Sequence, residues 1–207
     1  MLMSDLHLEF DNVIPPEFSV VAPVLILAGD IGRPDVPSLQ TFLLTLCQRF
    51  EHIFFCGWKP LFLPRVETKD GKSTRKRRIT VDDTNEWHAQ QLAWLREEIE
   101  KARNNGEHVV IITHHAPCRH DTCSTEDEES DLMDAFVNDH DTDCVDPVRL
   151  WVYGHTHWST DLIMNSTRIV SNQCGYAHEN CGFRPNMKIT LYDDRPIDVI
   201  DSVHCDS

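Results

Sequence analysis

The chain has 207 residues, 41% apolar and 26% charged, which is enough for one α/β domain with a substantial core and unlike a wholly disordered protein. Its formal charge of −15, from 19 Lys and Arg against 34 Asp and Glu, argues against general binding to a nucleic-acid backbone, which needs a basic footprint. No apolar run approaches bilayer length and no basic stretch leads into an apolar one near the start, so the expectation is a soluble, cytoplasmic protein whose eight cysteines are free thiols.

In chain order, the first metal-competent element is Ser4-Asp5-Leu6-His7, where an Asp and a His two apart point the same way on an extended segment and can meet one cation. Residues 24–28 form a continuous apolar run, as in a strand buried on both faces, and end in Gly29-Asp30. A glycine there lets a metal or phosphate approach the backbone, and the Asp30 carboxylate can bridge two ions. Residues 38–50, with Leu39, Phe42, Leu43 and Leu46 at helical spacing, predict a helix that leads into a strand at 52–56.

A charged loop is expected over about 59–83, and its basic run at 69–78 reads as solvated surface. The next helix is predicted over 84–102, from Leu92, Leu95, Ile99 and Ala102, with Thr84 as cap and Gly106 past its end. A strand at 109–113 then runs into His114-His115. Residues 118–147 are expected to be a second charged loop, mobile around the acidic 126–131 and overhanging the site. Within it Cys118 and Cys123 bracket His120, at a spacing that fits no closed zinc site. The apolar run 150–153 enters Gly154-His155-Thr156-His157, and 168–171 and 188–192 predict later strands. Alternating strands and helices followed by strands alone imply an α/β fold with a mixed sheet or two sheets.

Taken singly, each polar element reads as a turn Asp, a hydrogen-bonded His or a loop. Their shared position at the ends of apolar strands, where open α/β sheets gather ligands, points to one clustered metal site.

The ordered motifs SDLHLEF, LAGDIG, THHAP and YGHTH, with NQCGY at 172–176, resemble the calcineurin-like metallophosphoesterase superfamily over most of the chain. The resemblance implies a single domain over 1–207, built of two packed mixed sheets flanked by helices in a four-layer α/β/β/α sandwich, here truncated. It also implies a dinuclear centre for manganese, iron or zinc. Asp5, His7, Asp30 and His157 hold the first ion, and Asp30, His114 and His155 the second. Asp30, His114 and His155 carry the catalytic roles, and the motif favours His114 over His115. The implied reaction is hydrolysis of phosphomonoesters or phosphodiesters. One departure is specific: Gly57-Trp58-Lys59 stands where the family has Gly-Asn-His. The second ion then loses an amide ligand and the leaving group loses a proton donor. The expectation is therefore a weakened second ion and impaired turnover, with a catalytically inactive binding or regulatory relative as the alternative.

Overall fold

The computed structural model describes residues 1–10, 12–57 and 78–192, with the backbone alone at 62, 63 and 77. Trp58, Lys59 and most of the basic run at 69–78 lie outside the described residues. Strands β1 (Leu2–Met3), β2 (Val24–Leu27) and β3 (His52–Phe55) form a sheet in that order, every pair parallel. A short antiparallel ribbon follows, β4 (Phe62–Leu63) with β5 (Arg77–Arg78). The second sheet has the order β6-β7-β9-β8, from β6 (Val109–Ile112), β7 (Val148–Tyr153), β8 (Asp161–Met164) and β9 (Thr167–Ser171). Only β8 runs antiparallel there, so one sheet is mixed and the other, expected to be mixed, is wholly parallel. The crossover through α1 (Pro37–Cys47) makes β2 and β3 parallel.

Helix α1 starts with proline at its first turn and buries Leu39, Phe42 and Leu46. It stops at Cys47, three residues before the expected end, and Phe50 reaches the core from beyond the helix. Helix α2 (Val81–Asn105) begins earlier than predicted. Thr80, not Thr84, is its cap, because the Thr80 side chain and the Asp83 carboxylate close a reciprocal box on each other's backbone N–H. Thr84 instead sits inside the first turn and donates its hydroxyl to the Val81 carbonyl. Gly106, at φ 69°, ends the helix in the left-handed conformation.

The continuous apolar runs divide by strict alternation. Leu25 and Leu27 join α1 on one side of the first sheet, whereas Ile26 and Ala28 turn inward. Leu150, Val152 and Val170 of the second sheet meet them there, and Trp151, Tyr153 and Ile169 face Ile99 of α2. Burying each such side chain contributes about 1.5–3 kcal/mol, which drives the two sheets together.

Two expectations are corrected here. Residues 118–147 are a packed cover and not a free loop, with α3 (Thr125–Glu128) and 3-10 turns at Met133–Ala135 and Asp141–Asp143. Cys118, Cys123, Met133, Val137 and Cys144 are buried among the acids and pin the segment to the second sheet. Residues 188–192 form no strand. Met187 and Ile189 pack singly into the core between the sheets, an anchoring that needs no ladder. Among the described residues no helix is long and apolar enough to cross a membrane.

Candidate metal centre

The motifs are drawn together where the chain leaving β1 is stitched to two other segments. Asp5 N–H donates to the Gly29 carbonyl and His7 N–H to that of Asp30, both at 3.0 Å. On the other side Ser4 N–H donates to Asn172 O at 3.1 Å, and Gly175 N–H donates to Asp5 O at 3.0 Å. Asn172 and Gln173 hold this seam. The Asn172 amide donates to Leu2 O at 2.7 Å, and Gln173 Oε1 accepts the His157 N–H at 2.6 Å.

Asp5, His7, Asp30, His155 and His157 all adopt positive φ, between 46° and 76°. Non-glycine residues seldom do so, and such strain gathers where function requires a side chain to be aimed against local preference. Glycines leave the space. A Cβ on Gly29 would lie 2.3 Å from His114 Nδ1, and one on Gly154 would lie 2.5 Å from Asp5 Oδ2.

The aimed side chains form two groups, Asp5 with His7 and His157, and Asp30 with His114 and His155, each with its ligand-type atoms within 4.8 Å of one another. All six residues expected at the site are therefore gathered, Asp30 within the second group. In the first, His7 Nε2 lies 3.1 Å from His157 Nε2, and His157 Nε2 lies 3.7 Å from Asp5 Oδ1. The opposite ring nitrogens face carboxylates: His7 Nδ1 is 3.1 Å from Glu9 Oε1 and His157 Nδ1 is 2.6 Å from Glu179 Oε2. Assigning each ring hydrogen to the nitrogen that faces an acceptor leaves both Nε2 atoms as lone-pair donors aimed at one point. Asp5 is fully buried, with Oδ1 accepting the His155 N–H at 3.0 Å and Oδ2 without a hydrogen-bond partner. A buried carboxylate oxygen left in this state fits a cation, as do the two converging imidazoles.

The second group repeats the pattern. His114 Nδ1 faces the Ala28 carbonyl at 3.1 Å, which leaves Nε2 toward Asp30 Oδ2 at 3.4 Å. His155 Nε2 faces Ala135 O at 3.3 Å, leaving Nδ1 as its free lone pair. The neighbouring His115 is exposed and its ring lies 4.4 Å from that of His155.

The electrostatics follow from this packing. Burial pushes the Asp5 carboxyl above its ordinary range, against the opposing pull of His114 and His157. The His114 ring holds the Asp30 carboxyl below the usual range. Burial opposes the His114 cation, but Asp30, Asp5 and the Ala28 carbonyl outweigh it and raise its pKa. His155 is pushed down to about 3, first by burial and then by the His115 and His114 rings. These values describe the side chains without metal.

A cavity of about 410 Å³ opens onto both groups, lined by His7, Asp30, His155 and His157 together with Phe136 and Tyr176. Glu9, Glu179, Phe136 and Tyr176 are the residues that sequence reasoning missed. Glu9 continues the every-second-residue alternation of Asp5 and His7, a signal available in the motif. Glu179 has none, because a turn between Tyr176 and Glu179 and not a spacing rule brings it to His157. His88 stacks on His140 at 5.5 Å between centroids. Cys118 and Cys123 are buried thiols, raised by that burial to about 12 and about 11, and His120 pairs with Asp121, so the three do not converge as ligands.

No family model matches the chain, and no solved structure matches it. Over 120 residues it is 35% identical to an uncharacterized protein of Acanthamoeba polyphaga mimivirus. The match covers 55% of this chain and 42% of that protein, so the chain spans less than half the length of the relative it matches.

Proposed function

We propose that the chain is a metal-dependent phosphoesterase of the calcineurin-like type, with its two ligand groups holding two divalent cations. The observation that carries this reading is the pair of converging lone-pair sets, Asp5/His7/His157 and Asp30/His114/His155, open to one cavity. Supporting the four-layer order of that family are the separate apolar clusters outside the first sheet, between the sheets and outside the second.

Cations held there supply Lewis-acid polarisation of a phosphate ester and lower the pKa of a water nucleophile. The chain's own part is placement. Glu9, Glu179, Ala28 and Ala135 take the outer ring hydrogens and so fix which nitrogen of each imidazole faces inward. Gly29 and Gly154 let His114 and Asp5 approach the backbone. Phe136 and Tyr176 cover His155 and His7 and keep bulk water from one face of each.

The second reading, a metal-binding protein without turnover, is favoured by Gly57-Trp58-Lys59 in place of Gly-Asn-His. Elemental analysis and turnover of a nitrophenyl phosphate decide between them. Bound manganese, iron or zinc with turnover that disappears in Asp30→Ala is expected. Metal without turnover of any ester selects the binding protein, and absence of metal removes both readings.

A further inference from the structure

We propose that the cavity contains a subsite for an uncharged aromatic substituent of a phosphodiester, formed by Phe136 and Met133 on one side and Tyr176 on the other. This rests on the phosphoesterase reading above and names the class of ester that the site selects.

The walls supply the first half of the argument. The Phe136 ring stacks on His155 with centroids 5.0 Å apart, and the Tyr176 ring on His7 at 4.7 Å. One ring thus backs a ligand of each group, and both line the cavity. Met133 and Cys123 line the Phe136 side, with Cys123 Sγ 3.5 Å from Met133 Sδ. Ring faces and soft sulfur favour a flat apolar group and offer little to a charged or strongly hydrated one.

Charge supplies the second half. Among the described residues the lining contains Asp30, Asp127 and Glu179 and no lysine or arginine. Asp127 accepts from the neutral Ser124 hydroxyl, which leaves its charge in place. Two divalent cations bring four positive charges, and Asp5, Asp30, Glu9, Glu179 and Asp127 oppose them with five negative ones. No surplus remains for a second phosphate charge, and among the described residues no guanidinium lines the cavity to pair with it in bidentate fashion. A diester carries one negative charge, whereas a monoester carries about 1.5 to 2 near neutral pH. The extra charge would meet those carboxylates well inside a Debye length of about 8 Å. The cavity therefore selects an aryl-bearing diester over a monoester of the same aryl group.

The test separates ring from charge. Protein loaded with manganese, its metal content measured, is titrated calorimetrically with diphenyl phosphate, dimethyl phosphate and phenyl phosphate. The same titrations are run on Phe136→Ala and Phe136→Leu, the second keeping apolar bulk without the ring. Diphenyl phosphate is expected to bind tightest, and Phe136→Ala to weaken it about tenfold, with Phe136→Leu between. Metal uptake combined with dimethyl or phenyl phosphate binding as tightly as diphenyl phosphate overturns the subsite and leaves the phosphoesterase reading standing. So does indifference of diphenyl phosphate to Phe136→Ala. Absence of metal uptake overturns both.

Discussion

His7 and His157, 150 positions apart, present their Nε2 atoms to each other at 3.1 Å while Glu9 and Glu179 hold the opposite ring nitrogens. Two lone pairs so placed repel one another unless a cation lies between them. Divalent metal is therefore expected to stabilise the fold, by about 2.7 kcal/mol at a hundredfold excess over Kd. For a chain of this size that is roughly 5–10 °C in Tm. Thermal melts with manganese or chelator check it, and His157→Ala is expected to remove most of the difference.

Glu179 accepts both from His157 Nδ1 at 2.6 Å and from the Tyr176 N–H at 2.8 Å. Glu179→Gln keeps the volume but removes the charge that favours the hydrogen on Nδ1. Metal affinity is expected to fall about 10–100-fold with little change in Tm of the metal-free protein. Competition against a chromogenic chelator measures it, and an unchanged affinity would deny Glu179 a positioning role.

Asp30 lies 3.4 Å from His114 and also feels the charge of His7. Asp30→Ala is accordingly expected to lower bound metal more than His114→Ala does. Elemental analysis of the purified variants settles the order, and equal metal content in Asp30→Ala and the parent protein would contradict it.

A Cβ at Gly154 would stand 2.5 Å from Asp5 Oδ2 and 2.9 Å from Ala28 O, and nothing stands within 4 Å of one at Gly106. Gly154→Ala is expected to cost about 1–3 kcal/mol by overpacking and to lose metal. Gly106→Ala meets only the left-handed backbone, at φ 69°, and should cost roughly 1–2 kcal/mol without touching metal uptake. Urea unfolding paired with metal analysis distinguishes the two.

Burial, with the His115 and His114 rings, pushes His155 down to about 3 from its ordinary value of 6.5. An unfolded His155 takes up a proton first as pH falls, so its contribution to stability is complete above about 6.5 and lost below it, at up to about 1.4 kcal/mol per pH unit. His114 has the opposite sign, raised in the fold, so its contribution is complete below about 6.5 and lost as pH rises further. With chelator present, the stability difference between the parent protein and His155→Gln should shrink from pH 6.5 to 5. The corresponding difference for His114→Gln should shrink above 6.5. Differences that do not vary with pH would refute both assignments.

What the sequence alone determined is local. Apolar runs at 24–27 and 109–112 specify strands because short continuous apolar runs suit a sheet, although Val110 on the edge strand β6 stays exposed, and Gly106 ends α2 because left-handed backbone suits glycine. The pairing of Asp5 with His7 and of His155 with His157 was equally legible, but the expected extended segment was not found: each of the four residues adopts left-handed φ instead. Thr80 was legible too, since its box with Asp83 lies within four residues, yet the apolar periodicity alone pointed to Thr84. Only the tertiary structure decided that Phe136 covers His155, that Glu179 reaches His157, and that residues 188–192 anchor by single side chains instead of pairing. Those outcomes depend on how two sheets pack and on which turns lie at their edge, and no periodicity within a segment encodes a contact made by packing between segments.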